Sequence, residues 1–233
     1  DLHSFPTRRS SDLVLTIEQE PAFVLHRRPY KENHYLIDVL SVHYGCFRAS
    51  VRIPQQRTHR QTHIYAPFHL LALSGQRKGE LASLWQAEIQ GSFIPPAGQP
   101  LLNAHYLNEI LLGLLPMDDP APQLFYQYAQ ALQSPDASAL RRFEYALLMH
   151  LGLLPEMQGH APYYSLDSSG DTAVLCAAAQ GYRREILLGL LQGDPDWSHP
   201  DTRHLLQRLV HLYSQRRANT RKTTVALKQL LQR

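Results

Sequence analysis

Tyr35-Leu-Ile-Asp-Val-Leu-Ser-Val-His-Tyr-Gly-Cys-Phe-Arg-Ala-Ser-Val-Arg-Ile53 contains two runs rich in apolar, β-branched and aromatic residues, Tyr35–Val42 and Cys46–Ile53, separated around Gly45. Runs of this composition bounded by turn residues read as strands. Working outward, Ala22–Arg27 lies before them, and His69–Leu73 and Leu81–Ile89 lie after them, with Pro54, Gly75 and Gly79 in the gaps. Five short strands at close spacing predict a small barrel or sandwich. Leu81, Leu84, Trp85 and Glu88 also fit a 3.6-residue period, so this last run has a helical alternative; a strand is expected. Gly75-Gln-Arg-Lys-Gly79 reads as a basic hairpin loop.

Past Pro95-Pro96-Ala97-Gly98 the periodicity changes. Leu101, Leu102, Leu107, Leu111, Leu114 and Leu115 recur at helical spacing until Pro116, and Leu124, Phe125, Tyr128 and Leu132 form a second stripe. A third helix is expected to start with Ser134 as cap and Pro135 in the first turn, burying Leu140, Phe143, Leu147 and Leu151 and ending at Gly152. Residues 162–182 carry Tyr163-Tyr164, a Ser168-Ser169-Gly170-Asp171 turn and the apolar run Thr172–Ala177, which predict a hairpin. Arg183–Leu191, Thr202–Tyr213 and Thr220–Leu231 return to helix. The expected class is α+β: a five-stranded barrel over residues 14–92, then a mostly helical domain over 93–233 with a hairpin insertion at about 162–182.

At 233 residues, 44% hydrophobic and 18% charged, the chain can bury a sizeable core and is not a disordered tail. Its longest apolar stretches, such as Ile110–Leu115 and Tyr145–Met149, fall short of the ~20 residues that cross a bilayer, so no membrane span is expected. Cys46 and Cys176, far apart, supply neither a disulfide framework nor a four-cysteine zinc site. A cytoplasmic protein is expected. Residues 1–13, without an initiator Met, read as a foreign leader resembling the translation of a sequencing-library adapter, and they add no net charge.

The net charge of +3 hides its distribution: residues 14–78 sum to +5, residues 79–201 to −10 and residues 202–233 to +8. Two basic ends flanking an acidic middle suit a polyanionic partner, although solvated surface charge and a basic terminal helix give the same totals. Dinucleotide, Walker A, HExxH and GxSxG patterns are all missing, so nothing in the sequence points to covalent catalysis. His59 and His63 are four apart without an obvious third ligand, and Asp118-Asp119 suits capping or solvation better than acid–base work.

Pro21-Ala-Phe-Val-Leu-His-Arg-Arg-Pro-Tyr-Lys-Glu32 resembles the opening of the bacterial RecO family of recombination and repair mediators. The resemblance continues through Tyr35-Leu-Ile-Asp-Val-Leu40, Ala66-Pro67-Phe68, the Gly75–Leu81 loop, Tyr106-Leu-Asn-Glu-Ile-Leu-Leu112, Ala139-Leu-Arg-Arg-Phe-Glu-Tyr-Ala-Leu-Leu148 and His150-Leu-Gly152, in the family's order and spacing. It covers most of residues 21–152 and is looser beyond. There are two departures. Where many members carry Lys-Gly-Ala-Arg, this chain reads Arg52-Ile-Pro-Gln-Gln-Arg57, and where many hold four zinc-binding cysteines near the hairpin, it has Cys176 alone. The second departure implies a variant without metal or other cofactor.

The resemblance implies an N-terminal OB fold and a non-catalytic mediator that binds single- and double-stranded DNA, anneals complementary strands and, with RecR, helps load RecA onto strands coated by single-stranded DNA-binding protein. Nucleoid association would follow. An OB barrel grips single strands with cations and aromatic faces. Candidate phosphate contacts are Arg27, Arg28, Lys31, Arg48, Arg52, Arg57, Arg60, Arg77 and Lys78, with a second set at Arg208, Arg216, Arg217, Arg221, Lys222 and Lys228. Tyr30, Tyr35, Tyr44 and Tyr65 are candidate stacking faces, each with core packing as its alternative. Within the Leu-Arg-Arg-Phe block, the resemblance assigns Arg141 and Arg142 to the acidic-apolar C-terminal tail of single-stranded DNA-binding protein, and an intramolecular pair with Glu144 or Glu109 is the other reading. The competing function is an OB-containing interaction module that works mainly through protein partners.

Overall fold

Ile37, Val39, Phe47, Ala49 and Val51 take alternate positions on two strands and share one apolar core, while the intervening Leu36, Leu40 and Cys46 are buried on the opposite face. The computed structural model describes residues 14–53 and 63–230, with side chains as far as Gln215. Strands β1 (Val14–Lys31), β2 (His34–Ser41), β3 (Gly45–Arg52), β4 (His69–Lys78) and β5 (Leu81–Ser92) close in the order β1-β2-β3-β5-β4, β4 pairing back onto β1. All pairings are antiparallel except β3 with β5, where Arg48–Val51 run alongside Leu81–Leu84. This is a five-stranded OB-fold barrel.

β1 serves two neighbours by bending. Its start pairs with β4 and its end with β2, and Gln19, at φ 48°, sits at the register shift between Ile17 and Glu20. Two glycines are required by close approach. A Cβ on Gly75 would lie 2.4 Å from the Ser83 carbonyl oxygen, and one on Gly45, where φ is +64°, would lie 2.0 Å from that of Asp119. Gly75 is therefore not in a loop. β4 runs through it to Lys78, and the turn is confined to Gly79-Glu80, which corrects the sequence-based loop.

Contacts divide the chain into two units: residues up to Ile94 with Pro116–Phe125, and Pro95–Leu115 with the rest from Tyr126 onward. In the second, helices α1 (Gln99–Leu114), α2 (Pro122–Gln133, which begins in the first unit) and α3 (Ala137–His150) follow one another as their leucine stripes predict. The cap of α3 is Asp136 rather than Ser134, its carboxylate accepting the Ala139 N–H at 2.8 Å. The expected hairpin is the centre of a four-stranded sheet: β6 (Glu156–Gln158), β7 (Tyr163–Asp167), β8 (Val174–Ala178) and β9 (Tyr182–Arg183) in the order β6-β8-β7-β9. After α4 (Arg184–Gln192), the two helices expected near the end are one, α5 (Pro200–Leu230), because no Pro or Gly interrupts the polar stretch between them.

Candidate nucleic-acid interface

On the barrel, strand alternation turns Arg48, Ser50 and Arg52 of β3 to the face opposite Ala49 and Val51, which are core residues. Arg52 is exposed, and so are Arg28, Lys31 and Lys78 on β1 and β4. Three other cations have partners. Arg48 Nε donates to Asp38 Oδ1 at 2.7 Å, Arg77 makes a two-pronged pair with Asp118, and the Arg27 guanidinium lies 5.3 Å from the centre of the Tyr35 ring. A guanidinium tied to a carboxylate gains less from a phosphate than an exposed one, so this geometry ranks Arg28, Arg52 and Lys78 first, followed by Arg27 and Lys31, which each lie over a tyrosine ring.

The four tyrosines separate by burial. Tyr30 is exposed with Lys31 Nζ 5.2 Å from its ring centre; Tyr35 and Tyr44 are half-buried against the barrel core, Tyr44 meeting Phe47 edge to face. Tyr65 belongs to the core itself, and burial pushes its hydroxyl pKa up. Its packing follows the core alternative, leaving no exposed face for a base. Trp85, which the sequence reading did not single out as a site, is the most exposed aromatic residue of the barrel at 62%. The signal for it was its phase on β5, two residues past Ser83 and opposite to the core residues Ala82 and Leu84.

Arg57, Arg60 and His59 lie outside the described residues. Arg216, Arg217, Arg221, Lys222 and Lys228 fall on the part of α5 where only the backbone is described, and Arg208 Nη1 lies at 3.5 Å from the Tyr182 hydroxyl.

The helical unit brings Arg141 and Glu144 together and separates Arg142 from them. Arg141 is buried, its Nη2 2.7 Å from Glu144 Oε1, and the Tyr106 hydroxyl donates to that same oxygen at 2.5 Å. Glu144 is fully buried, and its Oε2 accepts no hydrogen bond. Burial raises its carboxyl pKa to about 7, while Arg141, the Tyr106 hydroxyl and Arg203 pull it down. The intramolecular pair weighed from the sequence is thus formed, yet Arg141 also lines a cavity of about 770 Å³ with Pro100, Asn103, Pro135, Leu140 and Arg203. Arg142 is exposed, its guanidinium 6.0 Å from the centre of the Trp197 ring, and it borders another groove of about 580 Å³ with Phe143, Tyr145 and Met149.

A zinc site of four cysteines does not fit this chain: its two cysteines are Cys46, buried in β3, and Cys176 in β8. Among the described residues no helix is long and apolar enough to cross a membrane.

Residues 15–93 match the family model described as Recombination protein O N terminal, and residues 99–232 match Recombination protein O C terminal. The chain belongs to the RecO family. Similar curated relatives bear the name DNA repair protein RecO. That of Polaromonas naphthalenivorans is 36% identical over 187 residues, which cover 77% of this chain and 72% of its own. That of Alkalilimnicola ehrlichii is 36% identical over 223 residues, covering 88% and 87%, and that of Cellvibrio japonicus 30% over 221, covering 85% and 90%. The RecO family is thus one of DNA repair proteins, and this chain carries both of its parts in order. Among solved structures, an Entamoeba histolytica asparaginyl-tRNA synthetase aligns at 8% identity and a TM-score of 0.30, over 72% of this chain and 40% of that one, too slight a likeness for any argument.

Proposed function

We propose that this chain is a non-enzymatic recombination mediator in DNA repair: it binds single- and double-stranded DNA, anneals complementary strands and, with RecR, helps load RecA onto strands coated by single-stranded DNA-binding protein. The observation that carries this reading is the match of both units, in order and over nearly the whole described chain, to the RecO family. The outward cations of the barrel support it physically, because neutralising phosphates releases counterions and makes the binding independent of sequence.

The acidic-apolar tail of single-stranded DNA-binding protein docks in the Arg141 cavity. Arg141 and Arg203 offer two guanidinium groups for carboxylates, and Pro100, Pro135 and Leu140 offer apolar wall for the tail's aromatic end. Arg142, on another groove, contributes long-range attraction rather than a clamp.

The test is annealing of complementary oligonucleotides, naked and coated with single-stranded DNA-binding protein. Acceleration on both is expected. A folded protein that binds the tail yet neither binds nor anneals DNA would replace this reading with the protein-interaction module, and turnover of the DNA would make it an enzyme.

A further inference from the structure

The register of β3 and β5 places an aromatic face beside a cation on the outside of the barrel. Their parallel pairing runs Arg48↔Leu81, Ala49↔Ala82, Ser50↔Ser83, Val51↔Leu84. Ala49, Val51, Ala82 and Leu84 fill the core, so Arg48, Ser50, Leu81 and Ser83 share the outer face. On β3 that face continues to Arg52, and on β5 Trp85 follows as the extra residue of a bulge, between Leu84, paired with Gly75, and Gln86, paired with Ser74; both Arg52 and Trp85 are exposed. On the other side of Arg52 its register partner is His34 of β2. The result is a Trp and an Arg at the same level of one face, with the small side chains of Ser50 and Ser83 next to them.

A large indole left 62% exposed on a barrel strand gives up apolar burial, which a flat ligand would restore. The neighbouring charges select among flat ligands. Arg52 and Arg48 lie on this face of β3, and Lys78, the register partner of Leu81 on β4, is exposed next to it. Acidic side chains near these positions include Asp38, already held by Arg48, Glu88, three residues beyond Trp85 and bonded to the Gln86 amide at 2.9 Å, and Glu80 and Glu32, in the turns next to Leu81 and His34. Arg52, Arg48 and Lys78 lie on the strands themselves. A base with its phosphate satisfies both features at once: the base covers the indole, and the phosphate meets the guanidinium. A purely acidic peptide would meet the cation but leave the indole bare, and one with an aromatic residue is told apart by the oligonucleotide titration below.

We propose that Trp85 and Arg52 form a stacking subsite for an unpaired nucleotide of single-stranded DNA. This rests on the DNA-binding reading above and names the residues that make the barrel prefer unpaired strands. Duplex DNA, whose bases are already stacked, engages the cations without the indole.

The chain has two tryptophans, so Trp197→Phe leaves Trp85 as the single tryptophan reporter. In that background, a 20-residue oligo(dT) is titrated while indole emission and the anisotropy of a labelled oligonucleotide are followed together. Binding is expected to quench the emission. Trp85→Ala is expected to weaken oligo(dT) binding about 5- to 150-fold, the range for losing one stacked base, with duplex affinity within about twofold and Trp85→Phe retaining most of the affinity. An unchanged thermal midpoint in Trp85→Ala excludes unfolding as the cause. Tight oligo(dT) binding with unquenched emission and no loss in Trp85→Ala would overturn the subsite while leaving the DNA-binding reading intact. Equal losses on single strand and duplex, or loss of a protein partner alone, would also overturn it. Failure of the wild-type protein to bind any oligonucleotide would remove the broader reading and the subsite with it.

Discussion

Arg141 shows how one residue can line a cavity and still be committed to the core. Its charge faces Glu144, which is fully buried, so truncating it leaves a carboxylate without its counter-charge. Breaking a buried pair costs about 3–5 kcal/mol while the remaining group stays ionised. Glu144, its pKa already raised to about 7, takes up a proton instead, so Arg141→Ala is expected to lower stability by less than this near pH 5 and by more at pH 8, read by urea unfolding. Arg203→Ala is the cleaner probe of the cavity. It should weaken binding of an acidic peptide with a free aromatic C-terminus about tenfold with little change in stability, as expected for removing one charge-assisted hydrogen bond. Glu144 also sets a pH dependence. Its folded pKa of about 7 lies above the ordinary 4.5, mainly through burial, so the folded state holds a proton that the unfolded chain releases first. The contribution from this group is therefore greatest at low pH, declines as pH rises from about 4.5, and levels off above about 7. Unfolding free energy measured at pH 5 and pH 8 should fall less in Glu144→Gln than in wild type; equal falls would remove Glu144 as the source. The pair itself was legible as an i,i+3 spacing in the Leu-Arg-Arg-Phe-Glu block. Its burial was not, because that depends on Tyr106 arriving from α1.

Elements were legible where apolar periodicity is strong and illegible where tertiary partners set the limits. Strands β2 and β3 and helices α1 to α3 form where their stripes fall, but two expected members leave the core: Leu102 is exposed on the outer side of the first turns of α1, and Leu151 is half-buried just past the end of α3. β1 and β4 extend further than their apolar cores because each supplies a hydrogen-bonding ladder to the other: Val14–Ile17 pair with Gly75–Lys78, although that stretch of β4 is polar. The glycine at position 75 looked like punctuation, whereas its missing side chain makes room for the Ser83 carbonyl. Gly45 does both jobs, turning the β2–β3 hairpin at positive φ and admitting the Asp119 carbonyl. Gly45→Ala is therefore expected to destabilise the barrel by at least about 1–3 kcal/mol from backbone strain alone, with the steric conflict adding to it. Gly79→Ala, also at positive φ but with open space around its missing Cβ, should cost less. Thermal midpoints of the two variants give the comparison; a reversed order would show that the Asp119 segment yields freely.

At the scale of the whole molecule, the charge pattern is the part of the function that the sequence states most plainly, and an OB barrel is the fold that gives it meaning. Among the described residues, the cations of β1, β3 and β4 sit on one closed barrel, while those from Arg203 to Lys228 follow one another along a single helix. Local reading could not join the two final helices, since the intervening polar residues carry no apolar stripe; their helical propensity and the absence of Pro and Gly carry α5 through. Two separate basic segments suit annealing, in which two like-charged strands must be held together while their repulsion is offset. The barrel and the C-terminal segment should then contribute differently. Reversing Arg216 and Arg217 to Glu is expected to lower DNA affinity and flatten the plot of log affinity against log salt by about 1.4 for single strands, about 0.7 for each phosphate that is no longer neutralised. Annealing should suffer more than binding, because the barrel still holds one strand while the second is deprived of its cationic surface. Unchanged affinity, slope and annealing rate would confine the DNA-binding role to the barrel and leave the basic C-terminal segment as solvated charge.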